Sequence, residues 1–391
     1  MSIFLNWLGN NKQERYFSFS LFFFVFSYLL LPSTKMVNNT FYVLLAIPAL
    51  IFFICGKWKD FIRRPTSSFF LAFVGWLVVV GALSGDFQYF RHIIYVFLFM
   101  VVLVVLINPS PFNDSRFFRV LFWGVCIYIV GSAIVYWANG TYPLGERIYW
   151  LPSRLTGTTY PAVWVAACLG LVVPTWLRER RWAEGGIGLF LAFFAVSFVM
   201  QTRAGLVGIF VLMFIFLVEG MFRNKYKAFA FLLMAITFGS ALLLLKEVPG
   251  INRLFAVGAS FRPEIWSSVI SDLLGCGILF GCGVNYDYSI IVSNGSLANH
   301  PHNVYLSIAL YSGVLSMILF FLWMTRVIML AYKHKNQWGL YLFLSLCMLL
   351  FDGSFPINHP NEFWLLVLLP AGLITSQYFN DVNKLEYTCC R

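Results

Sequence analysis

Twelve apolar blocks dominate the chain, near residues 16–31, 37–55, 68–84, 92–107, 117–137, 160–177, 186–201, 204–222, 228–245, 304–325, 338–352 and 363–379. A helix needs about 17–25 such residues to cross the hydrocarbon core of a bilayer. The blocks are apolar on every side and show no strict alternation, so they read as membrane helices and not as strands of a β-barrel. The composition agrees. Of 391 residues, 60% are hydrophobic and 11% charged, with 43 Phe, 13 Trp and 19 Tyr. A soluble domain is about 45–50% apolar and about 25% charged. So few charges cannot cover so much apolar surface in water, which excludes a soluble enzyme, a coiled coil and a disordered chain. The expected fold is all-α: one polytopic integral membrane domain over residues 1–391, with about twelve transmembrane helices.

The net charge of +11 calls for a partner or a topology. Of the 27 Lys and Arg residues, 19 fall in the N-terminal segment, the even-numbered connections and the C-terminal segment, and 8 in the odd-numbered connections. The positive-inside rule then puts both termini in the cytoplasm and the odd connections outside. That accounts for the charge without nucleic acid.

Among the external connections, residues 246–303 form a loop far longer than the usual connection of about 4–6 residues. Within it Phe261, Ile265, Trp266, Val269 and Ile270 are spaced for one face of a helix beginning near Pro263. That pattern predicts a short amphipathic helix lying on the outer membrane surface. Cys276 and Cys282 share the loop and could pair if it faces an oxidising compartment. Cys55, Cys126, Cys168 and Cys347 lie in apolar blocks and read as small core residues.

The external side is poor in cations, so its arginines stand out: Arg147, Arg154, Arg203, Arg253 and Arg262. A guanidinium is always charged and offers a planar fork of donors that fits phosphate oxygens. The bland alternative for each is contact with lipid headgroups or a carboxylate. Arg203 is the strongest candidate because it interrupts two apolar blocks, where charge is costly. The second feature is His300-Pro301-His302-Asn303, directly before an apolar run. Asn303 suits a helix N-cap, and His302 at the mouth of that helix is placed to act as a general base. A zinc site from His300 and His302 lacks a third ligand at plausible spacing, His359 being distant in sequence. Asp86, Glu264, Asp272, Asp287, Asp352 and Glu362 could orient an arginine or replace His302 as base. No phosphate loop, D-x-D pair or H-E-x-x-H occurs, so no metal or other cofactor is expected.

These residues resemble the bacterial O-antigen ligase family, within the group of O-antigen ligases, O-antigen polymerases and O-oligosaccharyltransferases. Four patterns carry the likeness: Arg154-Leu-Thr-Gly157, Gln201-Thr-Arg203-Ala-Gly205, Phe261-Arg262-Pro-Glu-Ile-Trp266, and Phe280-Gly-Cys-Gly283 leading to Pro301-His302-Asn303. The resemblance implies transfer of a glycan from undecaprenyl diphosphate to a sugar hydroxyl of lipid A–core at the periplasmic face of the bacterial inner membrane, without metal or ATP. Carried over residue by residue, Arg203 and Arg262, with Arg154 more weakly matched, hold the donor diphosphate. His302 takes the acceptor proton. Arg147, His300, Glu264 and Asn303 are supporting candidates, and no obligate protein partner is implied. Three alternatives remain: a polymerase using the same donor, a protein O-oligosaccharyltransferase, and a lipid-linked glycan transporter that is not an enzyme. Polymerases often carry Gly eleven residues after an external Arg, and none of the five arginines has it.

The 19-to-8 charge bias predicts that a reporter fused after Arg181 reads cytoplasmic and one near Gly295 reads periplasmic. Reversed readings at both sites would put the arginines and His302 on the wrong side for a lipid-linked donor.

Overall fold

Asn11 accepts a hydrogen bond from the Glu14 amide and so opens helix α1, Lys12–Leu30. Helices then follow almost without interruption, as the apolar blocks require. They are α2 (Thr34–Ile62), α3 (Ser67–Ser84), α4 (Phe87–Leu106), α5 (Ser115–Ala138), α6 (Thr159–Glu179), α7 (Trp182–Val199), α8 (Arg203–Arg223), α9 (Arg262–Cys276), α10 (Val304–Lys333), α11 (Trp338–Met348) and α12 (Trp364–Tyr378). This is a computed structural model describing residues 9, 11–64, 66–155, 157–223, 239, 261–353 and 357–378. Among these residues, eight helices are long and apolar enough to cross a membrane: α2 to α8 and α10. With α1 and the shorter apolar α11 and α12 they account for eleven of the twelve expected spans. The ninth, 228–245, apart from residue 239, lies outside the described residues, as does Arg253. The protein is a polytopic helical membrane bundle.

The chain divides into two compact units, one comprising Met1–Asp114, Phe261–Leu342 and Leu349–Arg391, the other Ser115–Ser260 and Phe343–Met348. In the second, α6 is the most buried span, with 83% of its apolar window inside; α5, α7 and α8 pack around it. In the first, Phe24, Phe41, Phe99 and Trp364 bring α1, α2, α4 and α12 together through ring contacts of 4.7–5.9 Å. All four side chains are fully buried. Each such aromatic pair adds about 0.5–1.5 kcal/mol beyond its burial.

The described part of the long loop, residues 261–303, is anchored in this first unit. Its predicted helix forms as α9, with Pro263 in the first turn, where a missing amide N–H costs nothing. Most of its apolar face packs within the protein, while Ile270 stays exposed. Ile265, Val269 and Leu273 are buried, and Ile265 and Val269 pack against Tyr288, Val292 and Ala298 of the same loop and Leu310 of α10. A two-stranded hairpin, β1 (Ile290–Ile291) with β2 (Leu297–Ala298), completes that small core.

The loop also mends a break in α10. At Gly313 the backbone turns to φ 83° and ψ 164°, releasing helical peptide groups in the bundle. Cys282 N–H donates to the Leu310 carbonyl at 2.7 Å, and Val314 N–H donates to the Ile278 carbonyl at 2.9 Å. Trp76 donates to the Ser312 carbonyl at 2.9 Å, and the Ser316 hydroxyl to the Gly313 carbonyl at 2.7 Å. The Cys276–Cys282 disulfide closes the inserted segment. Only glycine fits the crossing point: a Cβ on Gly313 would lie 1.7 Å from the Leu279 carbonyl oxygen, and one on Gly281 2.5 Å from that of Leu310.

Gly313→Ala should therefore destabilise the protein by roughly 3 kcal/mol or more, from strain and overpacking combined. Gly75→Ala, where a new Cβ meets nothing within 4 Å, should be tolerated. Thermal unfolding of the two detergent-purified variants by intrinsic fluorescence tests this; equal midpoints would show that α10 can straighten.

Candidate active site

Among the described residues, Arg203, Arg262 and the His302-Asn303 pair fall at helix N-termini, while Arg147 and Arg154 lie in the loop before α6. In the first unit, Asn303 caps α10, its side-chain oxygen accepting the amides of Tyr305 at 2.9 Å and Leu306 at 3.1 Å. That cap and the buried Pro301 fix both neighbours of His302. His302 itself takes a left-handed backbone, φ 50°, a conformation that costs a non-glycine residue about 1–2 kcal/mol. Its Nδ1 lies 3.1 Å from Oδ1 of Asp352, with side chains 34% and 14% exposed. Asp352 is held in turn. Its Oδ1 accepts the Gly353 amide at 2.8 Å, and Val304 N–H donates to the Leu349 carbonyl at 3.1 Å, tying the turn after α11 to the start of α10. A carboxylate on Nδ1 sets the tautomer with the proton there and the lone pair on Nε2.

The His300 ring packs against that of His302, centroids 3.8 Å apart and planes tilted by 43°, and its Nδ1 meets Asn299 Oδ1 at 2.8 Å. Burial, and secondarily the neighbouring His302, hold it below the ordinary histidine pKa. Asp352 supplies the third potential ligand that sequence spacing did not reveal: one ligand atom from each of His300, His302 and Asp352 lies within 4.8 Å of the others. His359 is elsewhere, its Nε2 3.3 Å from that of His92 and its Nδ1 3.0 Å from the Tyr42 hydroxyl. Glu264 is engaged too. It accepts the Ser293 amide at 3.0 Å, which lowers its pKa and braces the loop hairpin. Arg262 begins α9 two residues before it, half-buried, and α9 packs along α10.

In the second unit a wide π turn, Ala195–Val199, ends α7 and sets up the turn that follows. Gln201 takes φ 47°, and its amide nitrogen donates to the carbonyls of Gly145 at 2.9 Å and Phe198 at 3.2 Å. The Thr202 hydroxyl donates to the Thr158 carbonyl at 3.0 Å, joining the starts of α6 and α8. Arg203 is the first residue of α8, half-buried. Gly205 lets α8 close on its neighbours, since a Cβ there would sit 2.7 Å from Val196. Arg154 lies half-buried in the loop before α6, beside Ser153, which accepts the Tyr128 hydroxyl at 2.6 Å. Arg147 is a brace: it donates to the Met200 carbonyl at 3.0 Å and to the Thr158 hydroxyl, and stacks over Tyr149. Thus Arg154 and Arg203 sit at adjoining helix starts of the second unit, and Arg262, His300, His302 and Asp352 belong to the first. Gln201, Thr202 and Arg147 hold the turn that carries Arg203.

Comparison with known sequences bears on what such a site does. The family described as O-Antigen ligase matches residues 187–321, a stretch holding the Arg203 turn, α9 and His302. An O-antigen ligase of Pseudomonas aeruginosa is 24% identical over 360 residues, covering 86% of this chain and 84% of the relative. Over that stretch the chain is similar to the O-antigen ligase family. The name of that relative points to glycan transfer as the chemistry to weigh, and in each unit a half-buried arginine begins a helix.

The bracing bonds predict that Gln201→Ala and Arg147→Ala each lose about 1–3 kcal/mol by stranding buried carbonyls. Their effect should appear as lowered melting temperature. Wild-type midpoints in both would mean that the turn is held by the Thr202 contacts alone.

Proposed function

We propose that the protein is an O-antigen ligase, transferring a glycan from undecaprenyl diphosphate to a sugar hydroxyl of lipid A–core at the periplasmic face of the inner membrane, with both termini cytoplasmic. The observation that carries this reading is the His302–Asp352 pair at the mouth of α10. With its Nδ1 proton donated to Asp352, His302 offers the Nε2 lone pair to the acceptor hydroxyl. As that oxygen attacks the anomeric carbon, the proton passes to Nε2, and Asp352 stabilises the resulting imidazolium. The bond to the diphosphate oxygen breaks and the electron pair leaves with it. On the resemblance, Arg203, Arg262 and Arg154 are the groups that hold the diphosphate and stabilise this charge in place of a metal ion. One displacement from the opposite face inverts the anomeric centre, and neither ATP nor metal takes part. The name of the Pseudomonas relative, and the lack of an Arg–Gly pair at the polymerase offset, favour a ligase over a polymerase.

His302→Ala should cost about 10²–10⁴ in rate, the usual loss of a general base, and Asp352→Asn should fall in the same direction with expression retained. Arg203→Lys and Arg262→Lys keep the charge but lose the bidentate fork, and both should transfer poorly. The assay is transfer from undecaprenyl-diphosphate glycan to lipid A–core by purified enzyme in chelator. Full activity of His302→Ala would remove the base from the mechanism. Wild-type lipopolysaccharide ladders with both lysine variants would remove the clamp. A deletion strain whose core carries a single repeat unit, instead of bare core, would identify a polymerase.

A further inference from the structure

We infer that His300, His302 and Asp352 form a binding site for a divalent cation of the zinc type, and that an ion there inhibits the enzyme. The inference rests on the proposed role of His302 as base. Two imidazoles and one carboxylate are a donor set suited to zinc, cobalt or nickel, and three protein ligands leave room for a water. Ligand nitrogens and oxygens about 2.0–2.2 Å from a tetrahedral ion lie roughly 3.3 Å from one another. The His302 Nδ1–Asp352 Oδ1 edge already has that length, at 3.1 Å. The remaining edges of the triplet, at most 4.8 Å, shorten if the half-buried His300 ring turns about its Cα–Cβ bond. The rest of the frame is fixed: Pro301 is buried, Asn303 caps α10, and the Gly353 amide holds Asp352.

The same atoms cannot serve a proton and an ion together. In the metal-free state the single proton of neutral His302 sits on Nδ1 between the ring and Asp352. An ion taking Nδ1 leaves that proton to reside on Nε2, and the lone pair that would accept the acceptor's proton is gone. An ion taking Nε2 occupies that lone pair directly. Binding through either nitrogen therefore switches off base function, with Asp352 drawn from the ring to the ion. His300, whose ring lies tilted against that of His302, gains a purpose in this arrangement as the ligand that turns the proposed catalytic pair into a chelating triplet.

The test uses full-length, tag-free protein in detergent with Cys389 and Cys390 replaced by serine, because a terminal cysteine pair is itself a zinc ligand. Zinc chloride is titrated by calorimetry, and cobalt binding is followed by its visible spectrum. Glycan transfer is measured in parallel across free zinc concentrations. One ion should bind per chain, with transfer falling over the same range and recovering in chelator. His300→Ala and Asp352→Asn should each weaken binding by at least the ~10–100-fold typical of losing a supporting group. His300→Ala should also raise the zinc needed for half-inhibition, relative to its own metal-free rate, by the same factor. No binding, or binding unchanged in both variants, overturns the site. Binding at the triplet without loss of transfer overturns the inhibition. Saturable binding in a protein that does not transfer glycan to lipid A–core would leave the metal site standing and defeat the ligase reading, so the two fail separately.

Discussion

A peptide group released inside a membrane bundle has no water to turn to, and leaving it unpaired costs several kcal/mol. That constraint explains the organisation of the first unit. Once α10 breaks at Gly313, something must reach the freed Leu310 and Ser312 carbonyls and the Val314 amide. The segment Ile278–Cys282 and the Trp76 indole do so. Residues 278–298 of the long loop are therefore held by backbone bonds to a membrane helix and by packing on α9, so they cannot drift as an ordinary surface loop would. The segment of α10 that they support, Val304–Ser312, begins directly after His302 and the Asn303 cap.

The second unit meets the same demand differently. There the chain leaves α7 through a π turn, and the bends at Gln201 and Thr202 are satisfied by side chains reaching back to Gly145, Phe198 and Thr158. Arg203 is delivered as the first residue of a helix whose start is bonded to the start of α6. In each unit an irregular stretch of backbone leads into a helix start that bears a charged or titratable side chain, and there the dipole favours anions. The motif residues thus separate by work. Gly281, Gln201, Thr202 and Gly205 shape backbone, while Arg203, Arg262 and His302 are the groups that backbone presents.

Much of the bundle was legible because membrane insertion writes itself into local composition. A block apolar all round can only be a span, and eleven of the expected spans fall on helices among the described residues. The α9 start at Pro263 and the Asn303 cap were legible for the same local reason. The destination of α9 was not: Ile265 and Val269 pack on Tyr288, Val292 and Leu310, and that partner is set by tertiary structure. Nor did the sequence single out Asp352 from five other external carboxylates. The signal available was weak, an Asp-Gly pair at the external end of an apolar block, and its meaning depends on the turn after α11 being bonded to the start of α10. His359 shows the converse, its chemistry suggesting a partner for His300 and His302 while the fold sets it against His92 and Tyr42.

His302 and Gln201 share one further property, a left-handed backbone that glycine would adopt without strain. The exposed Arg180 and Lys335 take the same backbone, so about 1–2 kcal/mol of strain assigns no role by itself, and any return has to be read from the side chain's contacts. For Gln201 the return is visible, since two buried carbonyls accept its amide nitrogen, and the residue is structural. For His302 the only hydrogen bond from the ring among the described contacts goes to Asp352, through Nδ1. A bond of that kind orients an imidazole more than it holds a fold together. Stability alone thus gives little reason for a histidine at this strained position, and its Nε2 is the atom through which a return in function would come. The His302–Asp352 bond, and not the backbone strain, is therefore the observation on which the proposal of a base rests.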